Sequence, residues 1–258
     1  MKPDISVVIP LRNESPNVAA LARRTLEALR NEPRELELIL VDDGSTDDTW
    51  DRILEARRAD GRVRGLRHVR SFGQSAALWT GFKASRGDII ATLDGDLQND
   101  PADLPAMLRD LATCDMVCGV RTKRQDTAVR RISSAVARRA RKTALGVDFR
   151  DSGCNLRVFK RAVLETLPPF DGLHRFMPIL AYGAGAKVKE VPVTHHPRTA
   201  GRTKYGVWNR LGRGIYDLAM VRWYLKRQIK TMTPAQVSGE AETSSAFGNE
   251  QPRSAKPS

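Results

Sequence analysis

A chain of 258 residues can bury one sizeable core, so one domain with appendages is the expected organisation. Its net charge of +13 is unevenly placed: residues 1–100 hold 15 Lys and Arg against 17 Asp and Glu, and residues 101–258 hold 28 against 13. The second half is therefore built to meet an anion, whether nucleic acid, a phosphate substrate or an acidic membrane surface.

In chain order, Ile5–Ile9 (ISVVI) reads as a buried strand stopped by Pro10. Ser15-Pro16 supplies an N-cap and a first-turn proline for a helix with Val18, Leu21, Thr25 and Leu29 on one face. A second strand over 36–41 (LELILV) runs into DDGSTDDT, and a helix with Trp50, Ile53 and Leu54 follows. Asp47 and Asp48 open that helix and read as caps. A weaker strand near 63–69 precedes a helix at 74–85, then come a strand at 89–93, a helix from Pro101 to Leu111 and a strand over 115–120. Strand alternating with helix argues an α/β fold with a mainly parallel sheet. Ligands of such sheets sit outside the carboxyl ends of the strands, where Asn13-Glu14, Asp42-Asp43 and Asp94/Asp96 all fall.

Beyond residue 120 the texture changes. Residues 121–142 hold nine Lys and Arg and one Asp, with Val129, Ile132, Val136 and Ala140 spaced as a helix face. Mixed α/β texture returns over 152–193, and HHPRTAGRTKYG (195–206) reads as a basic loop. A helical pattern from Val207 to Lys230 places Trp208, Leu211, Ile215, Leu218 and Leu225 on one face and six Arg and Lys elsewhere, as an interfacial helix would; packing on the core or on a membrane-spanning partner is the alternative. Residues 232–258 have the composition of a disordered tail. The domain organisation expected is therefore 1–206, a basic amphipathic helix over 207–231, and the tail.

The stretch GDIIATLDGDLQND (87–100) carries the chemistry. A short apolar strand ends in two carboxylates, Asp94 and Asp96, separated by Gly95. A carboxylate is expensive to bury unless paired or bound to a cation, and three acidic clusters on successive strand ends call for a cation or a polar ligand. No GxGxxG or GxxxxGK[ST] occurs, so neither dinucleotide nor P-loop binding is signalled. No helix-turn-helix, zinc-finger or RNA-binding signature accompanies the basic excess, which argues against nucleic acid. Cys114, Cys118 and Cys154 form no CxxC pair and have no nearby His, so they read as free thiols in a reducing compartment. His195 and His196 lack zinc-site spacing, and His174 is open between core packing and a pocket role. With no signal peptide and no apolar run near the ~18–20 residues of a membrane span, the expected location is cytoplasmic, soluble or peripheral.

VVIPLRNE, LILVDDGSTDDT, GQSAALWTGFKASRGDIIATLDGDLQNDP, DSGCNLRVFKR and HHPRTAGRTKYG, in that order, resemble the family 2 glycosyltransferases over residues 4–210. More narrowly they resemble the branch that transfers a hexose to dolichyl or polyprenyl phosphate. The resemblance implies a GT-A nucleotide-sugar-binding fold. It implies that Pro10, Asn13, Glu14, Asp42, Asp43, Asp94 and Gln98 line the nucleotide sugar, and that Asp94 and Asp96 hold Mg²⁺ or Mn²⁺ against its diphosphate. Arg121, Arg131, Arg198, Arg202 and Lys204 would bind the acceptor phosphate. Asp151 matches a site-proximal acidic position, as a base or as an orienting group. The implied activity is inverting, metal-assisted transfer of a hexose from GDP-mannose or a UDP-hexose to a polyprenyl or dolichyl monophosphate, peripheral on the cytoplasmic face of a membrane, in cell-envelope glycan synthesis. The alternatives are transfer to a growing glycan or protein, and a catalytically idle subunit of a membrane complex.

Overall fold

The computed structural model describes residues 2–121, 139, 142–143, 145–197 and 207–227, with 207–215 as helical backbone. The basic helix face over 121–142, apart from Arg121, Arg139 and Lys142, lies outside the described residues, as do 198–206 and the tail over 232–258.

Among the described residues seven strands form one sheet, in the order β3-β2-β1-β4-β6-β5-β7. They are β1 (Ile5–Leu11), β2 (Leu36–Asp42), β3 (Val63–Arg67), β4 (Ile89–Thr92), β5 (Met116–Arg121), β6 (Arg157–Lys160) and β7 (Val188–Val193). Strands β1 and β2 are buried almost throughout, because helices cover both faces of a parallel sheet and its central strands read as continuous apolar runs. Within β2, Glu37 is 2% exposed; burial pushes its carboxyl up, but donation from Arg64, Ser6 Oγ and Arg86 outweighs burial and holds the group below the usual carboxylate range.

One face of the sheet is covered by α1 (Val18–Ala28), α2 (Thr49–Ala59) and α4 (Leu104–Asp110), whose Val18, Leu21, Ile53, Met107 and Leu108 join one core cluster. The other is covered by α3 (Gln74–Ala84), α5 (Arg161–Glu165), α6 (Leu173–Gly183) and α7 (Val207–Arg227), around Phe82, Phe159 and Met177. The α1 face is the expected one, although the helix starts at Val18, two residues later than Ser15-Pro16 suggests. Asp48 occupies the α2 N-cap without capping; Asp47 does that work, accepting from Thr49 N at 3.1 Å and Thr49 Oγ1 at 2.6 Å.

Two features depart from the expected picture. Strand β6 is antiparallel, inserted between β4 and β5, with Arg157 opposite Thr92 on one side and Cys118 on the other. Its direction carries residues 151–156 across the carboxyl ends of β4 and β5. Helix α7 also differs: Asp217 and Val221 are buried, and Leu218, Tyr224 and Leu225 pack against the second core cluster. Leu218 and Leu225 thus face the protein instead of a bilayer, because the core offers apolar surface at that spacing. Tyr216 and Trp223 are left outside, 72% and 60% exposed.

Candidate active site

The carboxyl ends of β1, β2, β4, β5 and β7 and the start of β6 meet at one edge of the sheet. At the end of β4 the carboxylate of Asp94 accepts at Oδ1 from two amides, Gln74 Nε2 at 2.9 Å and Asn155 Nδ2 at 2.8 Å. Burial, and then the charge of Asp96, push the Asp94 carboxyl above the ordinary carboxylate range. Asp96 is 9% exposed and accepts from Gln98 N at 3.2 Å. Gly95 between them lies close against β1: a Cβ there would lie 2.5 Å from Leu11 Cδ2 and 3.0 Å from the Pro10 carbonyl, so any side chain would have to displace Leu11 and press on the β1 backbone. Pro10 therefore serves the site by packing its backbone beneath this turn.

The described residues with positive φ other than glycine are Asn13 (52°) and Leu97 (60°), and both belong to this edge. Such conformations cost of order 1–3 kcal/mol and persist where the surroundings over-determine them. Asn13 is held by the β2–α2 loop: its N–H donates to Ser45 Oγ at 2.9 Å, and its Oδ1 accepts from Thr46 N at 2.8 Å. Glu14 N donates to Thr49 Oγ1 at 2.9 Å, and Glu14 Oε2 accepts from Asn17 at 2.7 Å. Asp42 is fully buried, accepts from Ser45 N at 2.9 Å and faces Arg67 Nε at 3.3 Å. These contacts join the β1–α1 and β2–α2 loops into one wall.

Asp43 supports that wall. Its carboxylate accepts from Ser71 Oγ, Phe72 N and Gly73 N and pairs with His68 Nδ1, all within 2.9 Å. Burial pushes its carboxyl up, but these donors outweigh burial and hold it below the usual range. With every acceptor direction engaged by the 68–73 loop, Asp43 shapes the loop that leads into Gln74.

Two strands from β4, Arg121 closes β5 and forms a forked pair with Asp151: Nε to Oδ2 at 2.7 Å and Nη2 to Oδ1 at 2.8 Å. Burial opposes the charge of Arg121, but the bond to Asp151 outweighs it and the guanidinium is held above its ordinary range. The attraction of Asp94 adds to this, so the pair and the β4 carboxylates sense one another. Arg131, Arg198, Arg202 and Lys204 lie outside the described residues.

Three residues of this edge escaped the reading of the sequence. Gln74 and Asn155 clamp Asp94, and Arg157 is a fully buried guanidinium that donates to the Ser152 carbonyl at 2.9 Å. Burial pulls Arg157 below its ordinary range, opposed by the attraction of Asp94 and Asp151. The available signal was a run of polar residues, Ser152, Asn155 and Arg157, in a segment otherwise destined for the core. His174 Nδ1 lies 2.7 Å from Ser75 Oγ, which also accepts from Gly172 N; burial and then Arg175 and Arg157 push this imidazole down to about 3. It is neutral at physiological pH.

Among the described residues no three His, Cys, Asp or Glu side chains stand together as a metal cage. The crowded pair Asp94 and Asp96 nevertheless fits a hard divalent cation that takes few protein carboxylates and completes its shell with phosphate oxygens.

Comparison with known proteins places this edge in context. The model of glycosyl transferase family 2 matches residues 6–167. The dodecaprenyl-phosphate galacturonate synthase of Rhizobium johnstonii is 38% identical over 232 residues, covering 86% of this chain and 68% of that protein. An undecaprenyl-phosphate 4-deoxy-4-formamido-L-arabinose transferase of Shewanella sediminis is 39% identical over 217 residues, covering 83% of this chain and 65% of that one. The chain thus spans about two thirds of the length of these relatives. Among solved structures, glucosyl-3-phosphoglycerate synthase of Mycobacterium tuberculosis with Mn²⁺, UDP-glucose and phosphoglyceric acid superposes with a TM-score of 0.65 at 22% identity, over 85% of this chain and 79% of that one. The same enzyme with Mg²⁺ and UDP gives 0.63 at 21% identity, with the same coverage. The sheet is GT-A-like, and by sequence the chain belongs to glycosyl transferase family 2.

Proposed function

We propose that this protein transfers a sugar from a nucleoside-diphosphate donor to a polyprenyl monophosphate in one inverting displacement. The observation that carries the reading is the juxtaposition at one sheet edge of an amide-clamped carboxylate pair, Asp94 and Asp96, with the Arg121–Asp151 fork. The names of the two relatives, both polyprenyl-phosphate sugar transferases, support the acceptor class. Mycobacterial structures holding Mn²⁺ or Mg²⁺ with UDP support a divalent cation.

In this reading Asp94 and Asp96 hold Mg²⁺ or Mn²⁺, which when bound neutralises charge on the departing nucleoside diphosphate. Gln74 and Asn155 fix the Asp94 carboxylate, and Gly95 lets the turn lie on β1. Asn13, Glu14 and Asp42 line the nucleoside, with Gln98 beside the diphosphate and Asp43 holding the neighbouring loop. A phosphate monoester already carries an anionic nucleophile near neutral pH, so positioning and charge neutralisation matter more than a base. Arg121 supplies a guanidinium for that phosphate, joined by Arg131, Arg198, Arg202 and Lys204 from the basic motifs. Asp151 orients Arg121: a carboxylate gripped by both arms of a guanidinium is a poor proton acceptor.

No described helix is long and apolar enough to cross a membrane. We place the protein at the cytoplasmic membrane face, with Tyr216, Trp223, Arg222, Lys226 and Arg227 on the outer side of α7 toward the lipid or a membrane-spanning partner. The described residues up to 197 and α7 then act as one folded unit. The test is a screen of sugar nucleotides, among them GDP-mannose, UDP-hexoses and UDP-uronic acids, against undecaprenyl phosphate with Mn²⁺, detecting the glycolipid by mass. A lipid-linked sugar formed only with metal is expected. Nucleotide turnover that ignores the lipid but requires a glycan or protein would overturn the acceptor assignment.

A further inference from the structure

The segment that leaves β7 is stitched to the segment that leaves the carboxylate pair. His196 N donates to the Gln98 carbonyl at 2.8 Å, and Asn99 and His195 form an antiparallel bridge. His196 Nε2 lies 2.8 Å from Asp100 Oδ2, while Arg24 of α1 approaches Asp100 Oδ1 at 3.2 Å. Thr194 N donates to Asp103 Oδ2 at 2.7 Å. The seam therefore runs through 98–103 on one side and 194–196 on the other. It accounts for the paired histidines, which no metal site among the described residues uses.

The seam abuts the strained point of the turn. Leu97, at φ 60°, lies between Asp96 and Gln98, and Gln98 contacts both sides, its N–H donating to Asp96 Oδ1 and its carbonyl accepting from His196. A left-handed leucine is strained and persists because its neighbours hold it. Gln98 thus stands directly between the Asp96 carboxylate and His196. Contiguous hydrogen-bonded elements of this kind are what coupling between sites travels through.

We propose that this seam couples binding at the Asp94–Asp96 pair to the chain that enters the basic acceptor motif, with His196 and Asp100 as positioning residues. The proposal rests on the reading of that pair as the metal and nucleotide site. Coupling of this kind is reciprocal, so occupancy of either side tightens the other by the same factor. The His196–Asp100 contact is partly open to solvent, its side chains 40% and 20% exposed, and such a contact contributes little by itself. The expected effect is consequently about 3–10-fold on acceptor use, around the lower end of the roughly 5–150-fold typical of coupled sites.

Hydrogen exchange on the full chain tests it, comparing wild type with His196→Ala, Asp100→Asn and His196→Gln, with and without Mn²⁺ and UDP or GDP. In wild type the nucleotide should slow exchange at 94–98 and also at 194–197. In His196→Ala and Asp100→Asn the protection at 94–98 should remain while that at 194–197 is lost. Steady-state assays should show a 3–10-fold higher KM for undecaprenyl phosphate, with kcat, and nucleotide affinity titrated without the lipid, within about twofold. His196→Gln, which keeps a side-chain donor toward Asp100, should recover much of the loss; a merely destabilised loop would not. Protection at 94–98 without any at 194–197 in wild type would overturn the coupling. So would variants that retain both. If neither nucleotide protects 94–98, the metal-site reading fails and takes the coupling with it.

Discussion

Replacing Asp151 with Asn separates the two roles open to this carboxylate. In the structure Asp151 is 8% exposed and receives both arms of Arg121, whose side chain is 18% exposed. Asparagine keeps one acceptor oxygen, loses the charge and turns an amide toward a guanidinium. One charge-assisted hydrogen bond contributes about 1.5–3 kcal/mol. If Asp151 orients Arg121 toward the acceptor phosphate, losing one such bond should lower kcat/KM for the lipid by roughly 10–100-fold. The loss should lie mainly in KM, with nucleotide-sugar affinity unchanged. Breaking a buried pair commonly costs 3–5 kcal/mol, but the solvent access of Arg121 reduces this to about 1–3 kcal/mol of stability. For a domain of this size that is about 2–10 °C in Tm. Initial rates with each substrate varied in turn, beside a thermal melt, provide the comparison. A fall in kcat of about 10³ or more with an unchanged acceptor KM would refute the orienting role and make Asp151 the base.

Asp96→Ala should cost about 10²–10³ in rate while leaving the circular dichroism spectrum intact. More than half the activity at saturating Mn²⁺ would refute the metal assignment. His174, pushed down to about 3, binds its proton more weakly folded than unfolded. Its contribution to stability is thus complete above about pH 6.5 and lost as pH falls from 6.5 toward 3. Denaturant midpoints measured between pH 7 and pH 4 should fall less steeply for His174→Gln; parallel curves would argue against burial of the neutral ring. In α7, Val221→Asp should destabilise by about 3 kcal/mol or more, since it puts a charge at a position that is 0% exposed. Trp223→Ala should spare stability yet weaken sedimentation with anionic vesicles. Equal sedimentation of Trp223→Ala and wild type would place the membrane contact elsewhere.

Local rules were enough to predict the alternation of strand and helix, the buried face Val18-Leu21-Thr25-Leu29 and the carboxylates at the end of β4. Each rests on short-range physics: periodicity, the low β-propensity of Asp, the cost of burying charge. The ordered motifs, which need no coordinates, identified the family. Tertiary structure decided what depends on contacts distant in sequence. The antiparallel insertion of β6 brings Asn155 to Asp94, 61 residues away in the chain. The fork between Arg121 and Asp151 and the four contacts of Asp43 likewise join residues 25–30 positions apart. Helix α7 shows the same limit from the other side. Its amphipathic pattern specifies that one face must leave water, but whether lipid or the protein's own core receives that face depends on surface that only the assembled fold presents. Val221, Leu218 and Leu225 found the core.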